Sequence, residues 1–176
     1  MLENFRKKMR SLSESKHTMN KVIFLKENIF MFFLIILIFF LDRFSKNLML
    51  SNVNENLIYI NDFINFDLIW NTGIGFGFLS SSSSLIYNAI SIIVGIVVIA
   101  LILISLKSDK FDKTAFSLII GGALGNFYDR IFFKAVPDFI DIHYGNFHWF
   151  TFNIADIFIT IGVICFITKG FFVKDK

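Results

Sequence analysis

Cysteine occurs once and histidine three times in these 176 residues. A lone Cys165, set among Ile and Phe, excludes an internal disulfide framework and reads as a packed, inert thiol. No GxSxG elbow and no Cys–His nucleophile stands out, so serine and cysteine hydrolase chemistry has no seat here. Asp138, Asp141, His143 and His148 lie close in the chain, but their spacing matches no HExxH-like or zinc-module pattern. These histidines are expected to be solvated connector residues, with no metal held. Charge of one sign is also scarce: the net value is +3, and nothing beyond a basic N-terminal stretch would favour nucleic acid.

Apolar residues are abundant instead. They make up 55% of the chain, with 25 Phe and a mean hydropathy of +0.67, whereas a soluble domain sits nearer ~45–50% apolar. The composition is that of a polytopic membrane protein of one domain. Residues 1–27 form a basic arm, expected to lie in the cytoplasm against anionic lipid. The apolar run after it resembles a signal peptide in length but ends in Leu41-Asp42-Arg43-Phe44-Ser45-Lys46, with no small-residue cleavage site. An uncleaved first span is therefore expected, running to about Leu50. Further spans are expected at Leu85–Leu106, from about Thr114 to Phe133, and from about Phe152 to Val173. Between the first two, residues 51–70 mix β-branched and aromatic residues with Asn and Asp, the pattern of short strands. The fold class expected is thus a mainly α membrane protein with four transmembrane helices and a small β element.

Lys and Arg settle the expected orientation. Thirteen of the 17 fall in the N-terminal arm, the 107–113 connector and the C-terminal tail, which places both termini in the cytoplasm. Asp42, Asn71, Asp129, Arg130, Asp138, Asn153 and Asp156 then gather on the extracytoplasmic side. Acids at the edge of hydrocarbon are expensive and need a reason. Asp42 and Lys46, four apart on a helix, are expected to satisfy each other, as are Asp129 and Arg130. Asp138, between apolar neighbours, and Asp156 have no dedicated cation. They suit a carboxylate pair in which one member takes a proton from water and the other gives one to the peptide. Asn71, Asn126 and Asn153 are placed to orient a substrate backbone, and Arg130 to balance charge. The glycines Gly121, Gly122 and Gly125 allow close helix approach. A proton-coupled transporter would need acids reachable from both sides, and there is no inverted repeat. An assembly protein built on the glycines would leave the acids and amides unused.

Five motifs in order resemble bacterial lipoprotein signal peptidase (signal peptidase II) over about residues 29–172. They are Asp42-Arg43-Phe44-Ser45-Lys46, Asn71-Thr72-Gly73-Ile74-Gly75-Phe76-Gly77, Gly121 to Arg130, Val136-Pro137-Asp138-Phe139, and Phe152-Asn153-Ile154-Ala155-Asp156. The resemblance implies four transmembrane helices with a β cradle on the outer side over residues 51–70. It also implies an outer loop or amphipathic helix over residues 134–151. The implied activity is an aspartic endopeptidase of the inner membrane, without metal or other cofactor. It would remove the signal peptide of diacylglyceryl-modified prolipoproteins just before the lipidated Cys, acting as a monomer among membrane lipids. By motif, Asp138 and Asp156 become the catalytic pair. Asn71, Asn126, Arg130, Asn153 and Gly122 bind substrate or support the pair, and Asp42, Lys46 and Asp129 are structural. Two departures stand out: Arg43 replaces Gln, and Pro137 replaces Val. Pro137 is expected to be tolerated because the position is extended.

Overall fold

The computed structural model describes residues 26–52, 57–73 and 84–172. Most of the basic arm, Gly75, Gly77 and the serine run up to Ser83 lie outside the described residues. Among the described residues there are four helices: α1 (Lys26–Asn52), α2 (Ser84–Ser105), α3 (Lys110–Phe132) and α4 (Ile154–Phe172). Among the described residues, three of them, α1, α2 and α4, contain stretches long and apolar enough to cross a membrane. The 23-residue α3 is equally long but far more polar: Lys113, Asn126, Asp129 and Arg130 are all buried along it. It packs against each of the other helices, so these side chains face protein rather than lipid.

Glycine makes that central position possible. A Cβ on Gly121 would lie 2.7 Å from Cβ of Ile38, and one on Gly125 2.3 Å from Oδ2 of Asp42, both on α1. On another side of α3, a Cβ on Gly122 would come within 2.5 Å of the carbonyl oxygen of Ala155 on α4. The small residues therefore seat two helices at once. Below them Met31, Ile35, Val98, Phe116 and Ile120 form the buried apolar core. Asp109 caps α3, accepting from the N–H groups of Phe111 and Asp112 at 3.0 and 3.1 Å.

At one end of the bundle sits a four-stranded antiparallel sheet, ordered β1 (Ile58–Asn61), β2 (Ile64–Asn71), β3 (Val136–Tyr144), β4 (Phe147–Phe152). The first two strands answer to the expected cradle. In their turn, the Asn61 side chain accepts from the N–H groups of Phe63 and Ile64. Residues 134–151 differ from the loop or helix expected: they form the β3–β4 hairpin and extend the same sheet. The physical reason is a pair of β-branched and aromatic runs around Tyr144-Gly145-Asn146-Phe147, with Gly145 at φ 58° supplying the turn. Pro137 sits in β3 opposite Trp70. β4 pairs with β3 only from Ile140 onward, so at Pro137 that edge has no ladder for a missing N–H to break.

Candidate active site

Where the sheet meets the helices, two carboxylates are buried with amides and, among the described residues, no cation bound to either. Asp138, on β3, is 2% exposed and Asp156, in the first turn of α4, is 7% exposed. Asn153 joins them. It is the N-cap of α4: its side-chain oxygen accepts from the Asp156 N–H, and an Asp156 carboxylate oxygen accepts from the Asn153 N–H, each at 3.2 Å. This reciprocal pair is a capping box. The remaining group of Asn153, its Nδ2, donates to Oδ1 of Asp138 at 2.5 Å. One fully buried amide thus ends a helix and holds both acids.

Each acid has one further amide. Asn71, at the end of β2, donates to Oδ2 of Asp138 at 2.9 Å. Asn126 of α3 donates to Oδ1 of Asp156 at 2.8 Å. Burial, together with repulsion from Asp156, pushes the Asp138 carboxyl up to about 6, although the bonds from Asn71 and Asn153 pull the other way.

The other acids are differently disposed. Lys46 reaches Asp42, Asn126 and Asp129 at 3.0, 2.7 and 2.7 Å, spending all three ammonium protons. Arg43 grips both oxygens of Asp129 and reaches Asp42 at 2.9 Å, with its guanidinium over the Tyr128 ring. The second oxygen of Asp42 accepts the Ala155 N–H at the start of α4. Two acids and two bases are thereby neutralised together. The Asp42–Lys46 pair is as expected, but Asp129 does not pair with Arg130. Successive residues on a helix point about 100° apart, and α1 supplies Asp129 with two cations. Arg130 instead donates to the backbone oxygens of Asn126 and Gly73, at 3.1 and 2.7 Å.

Asn126 connects the two groups, since its oxygen takes the Lys46 proton while its nitrogen serves Asp156. Gly73 is anchored in turn by the Asn71 side-chain oxygen at 2.7 Å, so Asn71 and Arg130 together hold the chain beyond β2. Arg43 stood out in the sequence only as a motif departure, with no role attached; Tyr87, which donates to the Arg130 carbonyl at 3.0 Å, gave no signal there. An apolar groove of about 400 Å³ between α2, α3 and α4 leads to Asn126, Arg130 and Asp156, lined by Val94, Val98 and Ile159 among others.

A family model described as signal peptidase (SPase) II matches residues 34–172. The chain belongs to the signal peptidase II family. Relatives within it include the lipoprotein signal peptidase of Pelagibacter ubique (strain HTCC1062), 51% identical over 146 residues that cover 81% of this chain and 88% of the relative. That of Francisella tularensis subsp. novicida (strain U112) is 41% identical over 150 residues, covering 82% and 93%. A bacterial membrane enzyme solved at 2.3 Å superposes with a TM-score of 0.70 at 30% identity, over 83% of this chain and 92% of the other. This signal peptidase II homologue is therefore a membrane protein, mostly helical, with a small antiparallel sheet.

Proposed function

We propose that the chain is an aspartic endopeptidase that removes the signal peptide of diacylglyceryl-modified prolipoproteins, cutting before the lipidated Cys with Asp138 and Asp156. The observation that carries this reading is the contrast between the acids. Asp42 and Asp129 are neutralised by Arg43 and Lys46, whereas Asp138 and Asp156 are buried against neutral amides and held together by Asn153.

A buried pair of this kind shares a proton most easily when one member is a weak acid. Asp138, pushed up to about 6, suits the proton-bearing role. Asp156 then supplies the carboxylate that takes a proton from water as its oxygen attacks the scissile carbonyl, and Asp138 protonates the departing amine. Asn71, Asn126 and Asn153 fix the carboxylates, and Arg130 holds the backbone at Gly73 beside them. Gly122 lets α4 approach so that Asp156 sits at this depth. The groove among Val94, Val98 and Ile159 gives an apolar segment or acyl chain a lateral path to Asp156 without leaving the bilayer.

Both termini are proposed to be cytoplasmic in the bacterial inner membrane, with all four helices crossing it and the sheet on the outer side. This follows from thirteen of 17 cationic residues falling on the opposite face. Every group of the pair comes from one chain, which supports a working monomer among lipids; no group here requires a metal or other cofactor for the cleavage.

The test uses the full chain in nanodiscs with a diacylglyceryl-modified prolipoprotein, followed by mass. Wild type should cleave it, with or without chelator, while Asp138→Asn and Asp156→Asn should not. Turnover surviving in either variant would remove that residue from the pair.

A further inference from the structure

β3 and β4 bring a second group of side chains together, on the other face of β3 from Asp138. Side chains alternate along a strand, so Asp141 and His143 share one face while Asp138 faces away. His148 stands opposite His143 on β4 because the register slips there: Ile142 pairs with Phe150 but His143 with His148, leaving Trp149 as an extra residue. The bulge makes the cluster, which is why these residues match no linear metal-site spacing.

The geometry is close. Oδ2 of Asp141 lies 2.7 Å from Nδ1 of His148 and 3.7 Å from Nδ1 of His143. One ligating atom from each residue lies within 4.8 Å of the others. These values bracket the roughly 3.3 Å between ligands that bonds of about 2.0–2.1 Å in a tetrahedral site require. Asp141 and His143 are 2% and 7% exposed, whereas the His148 side chain is half exposed.

Among the described residues, two buried atoms here have no hydrogen-bond partner: Nδ1 of His143 and Oδ1 of Asn65. They belong to neighbouring groups, since the Asn65 amide nitrogen lies 3.4 Å from Nε2 of His143. Exchanging the oxygen and nitrogen of that amide, which have nearly the same shape, turns the orphaned oxygen onto Nε2–H. The ring then carries its proton on Nε2, and the lone pair of Nδ1 faces Asp141 and His148. That is the tautomer of a metal-bound histidine whose far N–H is held by a carbonyl. His148 can follow, moving its proton to its other ring nitrogen, so that a cation replaces the proton between His148 and Asp141 and partners His143 too.

We propose that Asp141, His143 and His148 bind a divalent first-row transition ion of the zinc type, oriented by Asn65 and open to solvent beside His148. Two imidazole nitrogens and one carboxylate oxygen suit zinc rather than magnesium or calcium, which prefer all-oxygen sites. The ion ties β3 to β4 as a clasp and takes no part in cleavage.

The experiment uses the untagged full chain in nanodiscs, stripped with EDTA and dialysed, then titrated with cobalt(II) followed by zinc(II). Wild type should develop a visible absorption band at one cobalt per chain, bleached by zinc. Asn65→Ala should weaken binding by about 10–100-fold, and His148→Ala and Asp141→Asn by more. His148→Ala should keep wild-type peptidase turnover, which also reports that it is folded. Absence of the band in wild type, or an equal band in His148→Ala and Asp141→Asn, would overturn the proposal.

Discussion

At the scale of single residues, Asp138 carries a stability signature separate from turnover. In the unfolded chain its carboxyl titrates near 3.8, and in the fold burial and Asp156 push it up to about 6. Above pH 6 both states are ionised, and the fold bears the cost of a desolvated charge. As pH falls from 6 towards 4 the folded state takes up the proton first, so this contribution to stability rises and then levels off. Asp138→Asn has no such cost. It should melt above wild type at pH 8 by something on the order of 2 kcal/mol, with the gap closing by pH 4. Melting curves in nanodiscs across that range check it; a gap that widens on acidification would contradict the assigned environment. Asn153 separates two roles in the same way. Asn153→Ala should lose turnover and about 1 kcal/mol of helix capping. Asn153→Asp should keep the cap but lose turnover, because it sets a third negative charge beside Asp138.

Among elements, α3 is the one that cannot change its surface. Alanine at Gly125 would place a methyl 2.3 Å from Asp42, whereas at Gly170 it meets nothing within 4 Å. Gly125→Ala should therefore lower the melting temperature, by roughly 1–3 kcal/mol in stability, and Gly170→Ala should leave it unmoved or raised. The helices were legible beforehand because apolar runs of bilayer length admit few alternatives. Their ends were less so: α3 starts at Lys110, before the expected Thr114, because Asp109 caps it. The hairpin of β3 and β4 was missed although Gly145-Asn146 between aromatic and β-branched runs signalled it. The acids stood out in the sequence as candidates, but which cation each would meet depended on α1 lying against α3. That contact rests on glycines whose partners no local pattern reveals.

For the whole molecule, the proposed orientation is open to a direct check. In a Cys165→Ser background, Asn146→Cys at the hairpin tip should react with a membrane-impermeant maleimide on intact cells, and Lys107→Cys only after permeabilisation. The reverse pattern would invert the topology. The ion cluster binds the first and third helices into one unit, and Lys46→Met would leave Asp42 and Asp129 with Arg43 alone. Removing one partner from such a buried group costs about 3–5 kcal/mol, enough to deplete the folded protein in cells, and its yield in membranes would report that. The same cluster constrains biogenesis. Lys46 and Asp129 meet across 83 residues of chain, so the ribosome makes α1 long before the second acid of the cluster emerges. Until then Lys46 and Arg43 must share the single carboxylate of Asp42 on their own helix, and α3 is too polar to settle in lipid by itself. In the proposed four-span arrangement the first helix is the third's ticket into the bilayer, and a chain shorn of it would strand the third at the surface.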